Sequence, residues 1–340
     1  MAQEYILSLD NRRSTLESVG GKGDSLARLL RADMPVPGGF HVTTAAYERF
    51  VAENDLTSDI RAALEKADAS KPDALTKASE KIGDLFLQAD MPEEVSRDIS
   101  EAYAGLDQDE PAVAVRSSAT TEDLPSASFA GQQASSLNVR GEDELLEAVR
   151  RCWASLWSAR SIAYRQRRGF DHDRAALAVV VQRLVPTEVS GILFTANPVS
   201  GARDEVVVNA AWGLGEAIAG GLVTPDSFTL DRTTLTVRER KTGRQEVETV
   251  LAERGTTERP LDRERAAQPT LEDAQLARLA QIGIDIEDLF GTPQDIEWAY
   301  DAADRFWVLQ ARPITNLPPA PLKEVHWEPP FPGSACGAGR

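Results

Sequence analysis

Residues 113 to 133, VAVRSSATTEDLPSASFAGQQ, constrain this chain more than any other stretch. A short apolar run, Val113, Ala114 and Val115, carries Arg116 into a cluster of hydroxyls and carboxylates. Strand formers that lead into a polar turn put functional groups at the end of a rigid element, where ligands bind. Arg116 supplies a fixed cationic fork suited to phosphate oxygens, and Ser117, Ser118, Thr120 and Thr121 add short hydrogen-bonding groups. Gly131 permits close approach of backbone to a ligand. A lone RSS is more often an ordinary serine-rich surface loop. The full segment is more specific.

The flanking pattern alternates between helix and strand periods. Residues 4 to 9 read as a strand, followed by a turn at GGKGDS and a helix from Asp24 to Arg31. MPVPGGF at 34 to 40 breaks that helix, and Thr43 or Thr44 offers the next N-cap. From Ser58 to Leu106 the apolar spacing is helix upon helix, an α-helical insert ahead of the arginine strand. Glu142 to Arg167 reads as one long amphipathic helix. Strands follow at LAVVVQRLV, SGILFTA, EVVVNAAW, SFTLD and TLTVRER, then a charged, weakly periodic stretch from Glu239 to Pro269 that suggests a mobile or variable region. A helix from Leu271 to Leu289 precedes two closing strands, DIEWAY and RFWVLQARPI, and the chain turns proline-rich after Thr315. No internal repeat is visible. Helices first and mixed strands after imply an α+β architecture built around a cleft. We divide it into an N-terminal part to residue 190 that includes the insert, a C-terminal lobe over 191–315, and a linker or tail over 316–340.

Charge narrows the function. The net charge of −17 argues against a general nucleic-acid or anionic-membrane binder, because phosphate backbones need clustered positive charge. It still allows a locally positive pocket. Cys152 and Cys336 form neither a disulfide framework nor a metal-type spacing. The N-terminus lacks a basic region followed by an apolar core, and no apolar run approaches bilayer length, so the expected compartment is the cytoplasm.

Three further segments carry candidate chemistry. Gly20-Gly21-Lys22-Gly23 fails the P-loop spacing, yet glycines around a lysine suit a loop that bends close to phosphate; a tight turn with a solvated lysine is the plain alternative. Gln182 ends an apolar strand, where it could read a purine edge or simply bond to backbone. In DIEW, two-residue alternation puts Asp295 and Glu297 on the face opposite Ile296 and Trp298. In FWVLQAR the same alternation groups Phe306, Val308, Gln310 and Arg312. Pairing these strands across Asp301 to Asp304 would set Glu297, Gln310 and Arg312 on one surface. Hard oxygen donors beside a guanidinium suit Mg²⁺ on a polyphosphate, and an amphipathic hairpin with a surface salt bridge reads the same way. The run WGLGEAIAGG lacks the third glycine of a dinucleotide fingerprint, since Ile218 stands in its place.

The segment at 113–133, with ASLWSARSIAYRQRRGFDH, EVSGILFTANPVSG and GLVTPDSF, resembles the ATP-binding domain shared by phosphoenolpyruvate synthase, pyruvate phosphate dikinase and rifampin phosphotransferase. The resemblance runs from about residue 14 to 315. It implies an ATP-grasp-like, two-lobed fold closing on the nucleotide. It also implies an ATP site of Lys22, Arg116, Gly131, Ser135, Gln182, Glu297, Gln310 and Arg312. Within that set, Lys22, Arg116 and Arg312 act on the phosphates, and Glu297 and Gln310 hold Mg²⁺. Enzymes of this family split ATP to AMP and phosphate by way of a histidine on a separate swivelling domain. His41, His172 and His326 lack that domain's histidine setting, so the carrier and acceptor domains are expected elsewhere, in cis or in trans. The wording of ASLWSARSIAYR, SGILFTANPVS and FGTPQDIEWA leans towards the rifampin branch, with pyruvate as the alternative acceptor and a non-catalytic nucleotide sensor as the alternative class.

Overall fold

The computed structural model describes residues 4–68, 70–106, 110–120, 135–315 and 317–319. Gly131 and His326 lie outside these residues, as does nearly all of the proline-rich tail. Two antiparallel sheets organise the chain. The first contains β1 (Ile6–Ser8), β2 (Gly39–Val42), β3 (Val113–Ala119), β4 (Ser135–Val139) and β5 (Leu177–Arg183), in the order β1-β2-β5-β3-β4. The second contains β6 (Thr187–Phe194), β7 (Glu205–Trp212), β8 (Asp226–Asp231) and β9 (Val237–Lys241). A two-stranded hairpin, β10 (Val247–Leu251) and β11 (Thr256–Pro260), follows. The closing pair β12 (Gln294–Asp301) and β13 (Phe306–Pro313) then completes the second sheet in the order β13-β12-β6-β7-β8-β9.

Each sheet buries one face by alternation. In the first, Phe40, Val42, Val113, Val115, Val179 and Val181 meet a helical layer. That layer comprises α2 (Thr44–Glu53), α3 (Leu56–Leu64), α4 (Pro72–Gln88), α5 (Glu93–Ala104), α6 (Glu142–Ser155) and α7 (Ala159–Arg168). Within this core the Phe50 ring packs at a tilt against Phe86 and Trp153. In the second sheet, Ile296, Trp298, Phe306 and Val308 pack with Leu276, Leu279 and Ile286 of the long helix Asp273–Phe290. The first helix, α1 (Leu16–Arg31), joins the two halves, because Leu26 and Leu29 belong to the second core. Its Ser25 hydroxyl also donates to the Ala311 carbonyl at 2.6 Å. Among the described residues, no helix is long and apolar enough to cross a membrane.

Several expectations are corrected. The stretch from Glu142 to Arg167 is two helices, since the chain turns at Leu156 to Ser158 and the Ser158 hydroxyl caps the second by accepting from Ser161 N. Amphipathic periodicity continues through such a break, so it hides the turn. The charged stretch from Glu239 to Pro269 contains the β10–β11 hairpin and a short helix, Arg263–Ala266. Buried Glu248 anchors it through Arg259 and Arg265, so charge there signals internal ion pairs. Thr43 is the cap residue of α2, but its hydroxyl donates to the Glu4 carbonyl instead of capping.

Candidate functional site

Gly20 to Gly23 is part of a helix, not a free turn. α1 runs through these residues with a kink at Gly20, whose φ of 70° and ψ of 176° suit glycine alone. A β-carbon there would lie 2.2 Å from the Ser118 carbonyl oxygen, so β3 and the helix touch backbone to backbone. The kink opens the helical ladder between Val19 and Gly23. Ser118 fills that gap: its hydroxyl donates to the Val19 carbonyl at 2.7 Å and accepts from Gly23 N at 3.0 Å. Lys22 sits at this junction and donates from Nζ to the Ser117 carbonyl at 3.1 Å. The Ser118 hydroxyl and the Ser117 carbonyl of the RSS run therefore serve the lysine segment as much as the strand end.

Register sorts the first sheet. Arg116 pairs with Val180 and Ser135, and Ala114 with Gln182, which in turn pairs with Gly39. Opposed residues share a face, so Arg116, Ser135 and Gln182 lie on the side away from the helical layer. Gln182 is 2% exposed, and among the described residues its Nε2 has no hydrogen-bond partner. A buried amide donor left open costs free energy unless a ligand meets it.

The second sheet supplies the opposing wall. Glu297 pairs with Gln310, and Asp295 with Arg312. The alternation expected for β13 does not hold. Register shifts between Glu297 and Trp298, so that Trp298 faces Val308 while Gln310 and Arg312 stay on the Glu297 side. Phe306 and Val308 are core residues. The extra residue is Leu309, and its carbonyl accepts from Arg116 Nη1 at 3.2 Å. Consecutive apolar residues at Val308 and Leu309 were the sequence signal for this bulge.

The two walls meet directly. Arg116 Nη2 lies 2.5 Å from Glu297 Oε2, with Arg116 side-chain exposure at 16% and Glu297 at 37%. Desolvation, the largest influence on Glu297, pushes its carboxyl up, but Arg116, Lys22 and Arg312 together outweigh it and hold the carboxyl below its ordinary range. Asp295 behaves oppositely: burial outweighs its 2.7 Å ion pair with Arg312 and raises its carboxyl. Lys22, Arg116, Glu297, Gln310 and Arg312 thus converge from four elements, α1, β3 and the consecutive strands β12 and β13. Ser135 and Gln182 share the Arg116 face of the sheet, with Ser135 exposed at its edge. The Leu309 carbonyl is a participant that residue types do not reveal, and Asp295, placed beside Glu297 by alternation, joins the site through its pair with Arg312. No group of three or more His, Cys, Asp and Glu side chains among the described residues could hold a metal ion. Glu297 and Gln310, the oxygen donors expected from sequence, face each other across one strand pair.

The family described as pyruvate phosphate dikinase, AMP/ATP-binding domain, matches residues 16–328. The chain belongs to this family. Among curated relatives, a probable phosphoenolpyruvate synthase of Methanocaldococcus jannaschii is 44% identical over 93% of this chain and 27% of its own length. The phosphoenolpyruvate synthase of Pyrococcus furiosus is 40% identical over 93% of this chain and 44% of its own length. A rifampicin phosphotransferase of Streptomyces sviceus is 44% identical over 94% of this chain and 37% of its own length. The chain therefore spans less than half the length of these relatives. Burial lowers His41 to about 4, and His172 accepts from Arg165 Nε at 3.1 Å.

Proposed function

We propose that the chain is the nucleotide-binding unit of a dikinase-type phosphotransferase, with an ATP-grasp-like closure of the two sheets on Mg-ATP. The observation that carries this reading is the Arg116–Glu297 contact between the sheets, flanked by Lys22 and Arg312. In the proposed assignment Lys22, Arg116 and Arg312 neutralise the phosphates, and Gln182 offers its open amide donor to the base. Ser135, and Gly131 outside the described residues, complete the phosphate wall. Glu297 and Gln310 would hold Mg²⁺, which supplies charge neutralisation on the polyphosphate when bound. Positioning and electrostatics are what these side chains can provide; none is placed as a nucleophile.

The β-phosphate would pass to a histidine on a separate carrier domain, releasing AMP and phosphate, and thence to an acceptor bound by a further domain. The short coverage of the relatives' length supports those additional domains. A relative named for each acceptor class matches at 44% identity, so both rifamycin and pyruvate stand as acceptors on this reading. Isothermal titration with Mg-ATP tests the site. The parent chain should bind one nucleotide, and Lys22→Ala and Arg116→Ala should each weaken it by about tenfold or more, as loss of a charge-assisted contact implies. Parent-like binding by both variants would remove the phosphates from this site.

A further inference from the structure

On the other face of the first sheet lies a cavity of about 280 Å³, lined by the end of β3, the α6–α7 corner and the segment preceding β5. Ser117 and Ala119 line it, whereas Arg116 and Ser118 alternate to the opposite face, so the cavity is separate from the nucleotide site. Its floor is apolar, with Leu156, Ala175, Ala176 and Leu177. Tyr164 and Phe170, stacked at 6.1 Å, also line it, and Phe170 is 41% exposed. Arg160, Arg165 and Arg174 lie in the same wall, with Asp171 the one carboxylate there among the described residues.

Arg165 is the unusual member. It is 8% exposed, and its nearest polar contact is neutral, because Nε donates to His172 Nδ1 and burial with the neighbouring Arg165 charge lowers His172. Its guanidinium carbon stands 4.8 Å from the Trp157 ring centroid, and Nη2 has no hydrogen-bond partner among the described residues. Burial lowers Arg165 only to about 10, so it stays cationic at neutral pH. Asp171 is drawn to Arg174 at 3.8 Å and does not pair with Arg165. A desolvated cation without a counterion is costly, and the cost is relieved when an anion enters beside it.

We propose that this cavity is a second ligand site, which takes a small phosphate monoester with a flat apolar body. The flat body suits the alanine and leucine floor beside the aromatic pair. Three guanidinium groups against one carboxylate suit a head that carries close to two negative charges at neutral pH.

Phenyl phosphate is the probe, titrated calorimetrically into the chain with the nucleotide site saturated by a non-hydrolysable Mg-ATP analogue and again without it. One molecule should bind under both conditions, about tenfold more tightly than inorganic phosphate or benzyl alcohol. Arg174→Ala, Arg160→Ala and Tyr164→Ala should each weaken it several-fold while leaving the analogue's affinity unchanged. Arg165→Met should abolish it, and the three exposed-wall variants keep the test decisive if that one fails to fold. Binding no tighter than inorganic phosphate, indifference to all three variants, or displacement by the analogue would each overturn the proposal. Failure of the analogue to bind would instead count against the nucleotide site, since the titration without it reads the cavity alone.

Discussion

Glu297 shows how much one residue depends on its surroundings. Although 37% of its side chain is exposed, protein atoms crowd it enough for desolvation to be the largest influence, and the surrounding cations outweigh it to hold the carboxyl below its ordinary range. Its folded-state pKa is depressed, so its contribution to stability is present above the unfolded value and is lost as pH falls through the folded one. Glu297→Gln should therefore flatten the acid limb of stability below the ordinary glutamate range of about pH 4.3, measured by urea unfolding across pH. Solvent screening keeps the loss at neutral pH to about 1 kcal/mol. An unchanged acid limb would mean that the pair with Arg116 does not persist in solution. The residue types at this site were readable in sequence because Arg116, Glu297 and Gln310 end or line strands. Their mutual contact was not, since 181 positions separate Arg116 from Glu297.

At the scale of elements, the closing strand pair depends on one irregularity. Alternation read straight through FWVLQAR would put Gln310 and Arg312 with Phe306 and Val308, in the apolar core. The bulge at Leu309 reverses the parity halfway, so one strand packs its first half inward and presents its second half to the site. Deleting Leu309 should restore plain alternation, which forces Gln310 and Arg312 towards the Trp298 face or Phe306 and Val308 out of it. We expect a loss of more than about 4 kcal/mol, or failure to fold, read from denaturant midpoints. A deletion variant of parental stability would show that the bulge is dispensable. α1 follows the same principle: its GGKG was legible as a backbone-permissive segment, but the helix on both sides of Gly20 exists because Ser118 bridges the broken ladder. Local propensity cannot report a hydroxyl delivered from 95 residues away.

Across the whole molecule, the β10–β11 hairpin ties the two sheets at a second place. Asn138, fully buried on edge strand β4 with φ of 57°, donates from Nδ2 to the carbonyls of Ala252 at 2.8 Å and Gly255 at 2.9 Å. Asn138→Gly keeps the backbone conformation and removes both bonds. It should cost about 1–2 kcal/mol and speed amide exchange in residues 247–260 while leaving β12 and β13 protected. Equal exchange in parent and variant would mean that the hairpin is held from its own side alone, through the Glu248 ion pairs. Sequence by itself determined the elements whose apolar period is unbroken, from the α-helical insert to β5, β6 and β7, and it marked the polar residues at their ends. Tertiary structure alone decided which of those ends face one another, where periodicity is interrupted and which charges are paired. The physical reason is range: alternation and helical period are set by neighbours a few residues apart, whereas the Arg116–Glu297 contact, the Ser118 bridge and the uncompensated charge of Arg165 arise only when distant segments share one desolvated volume.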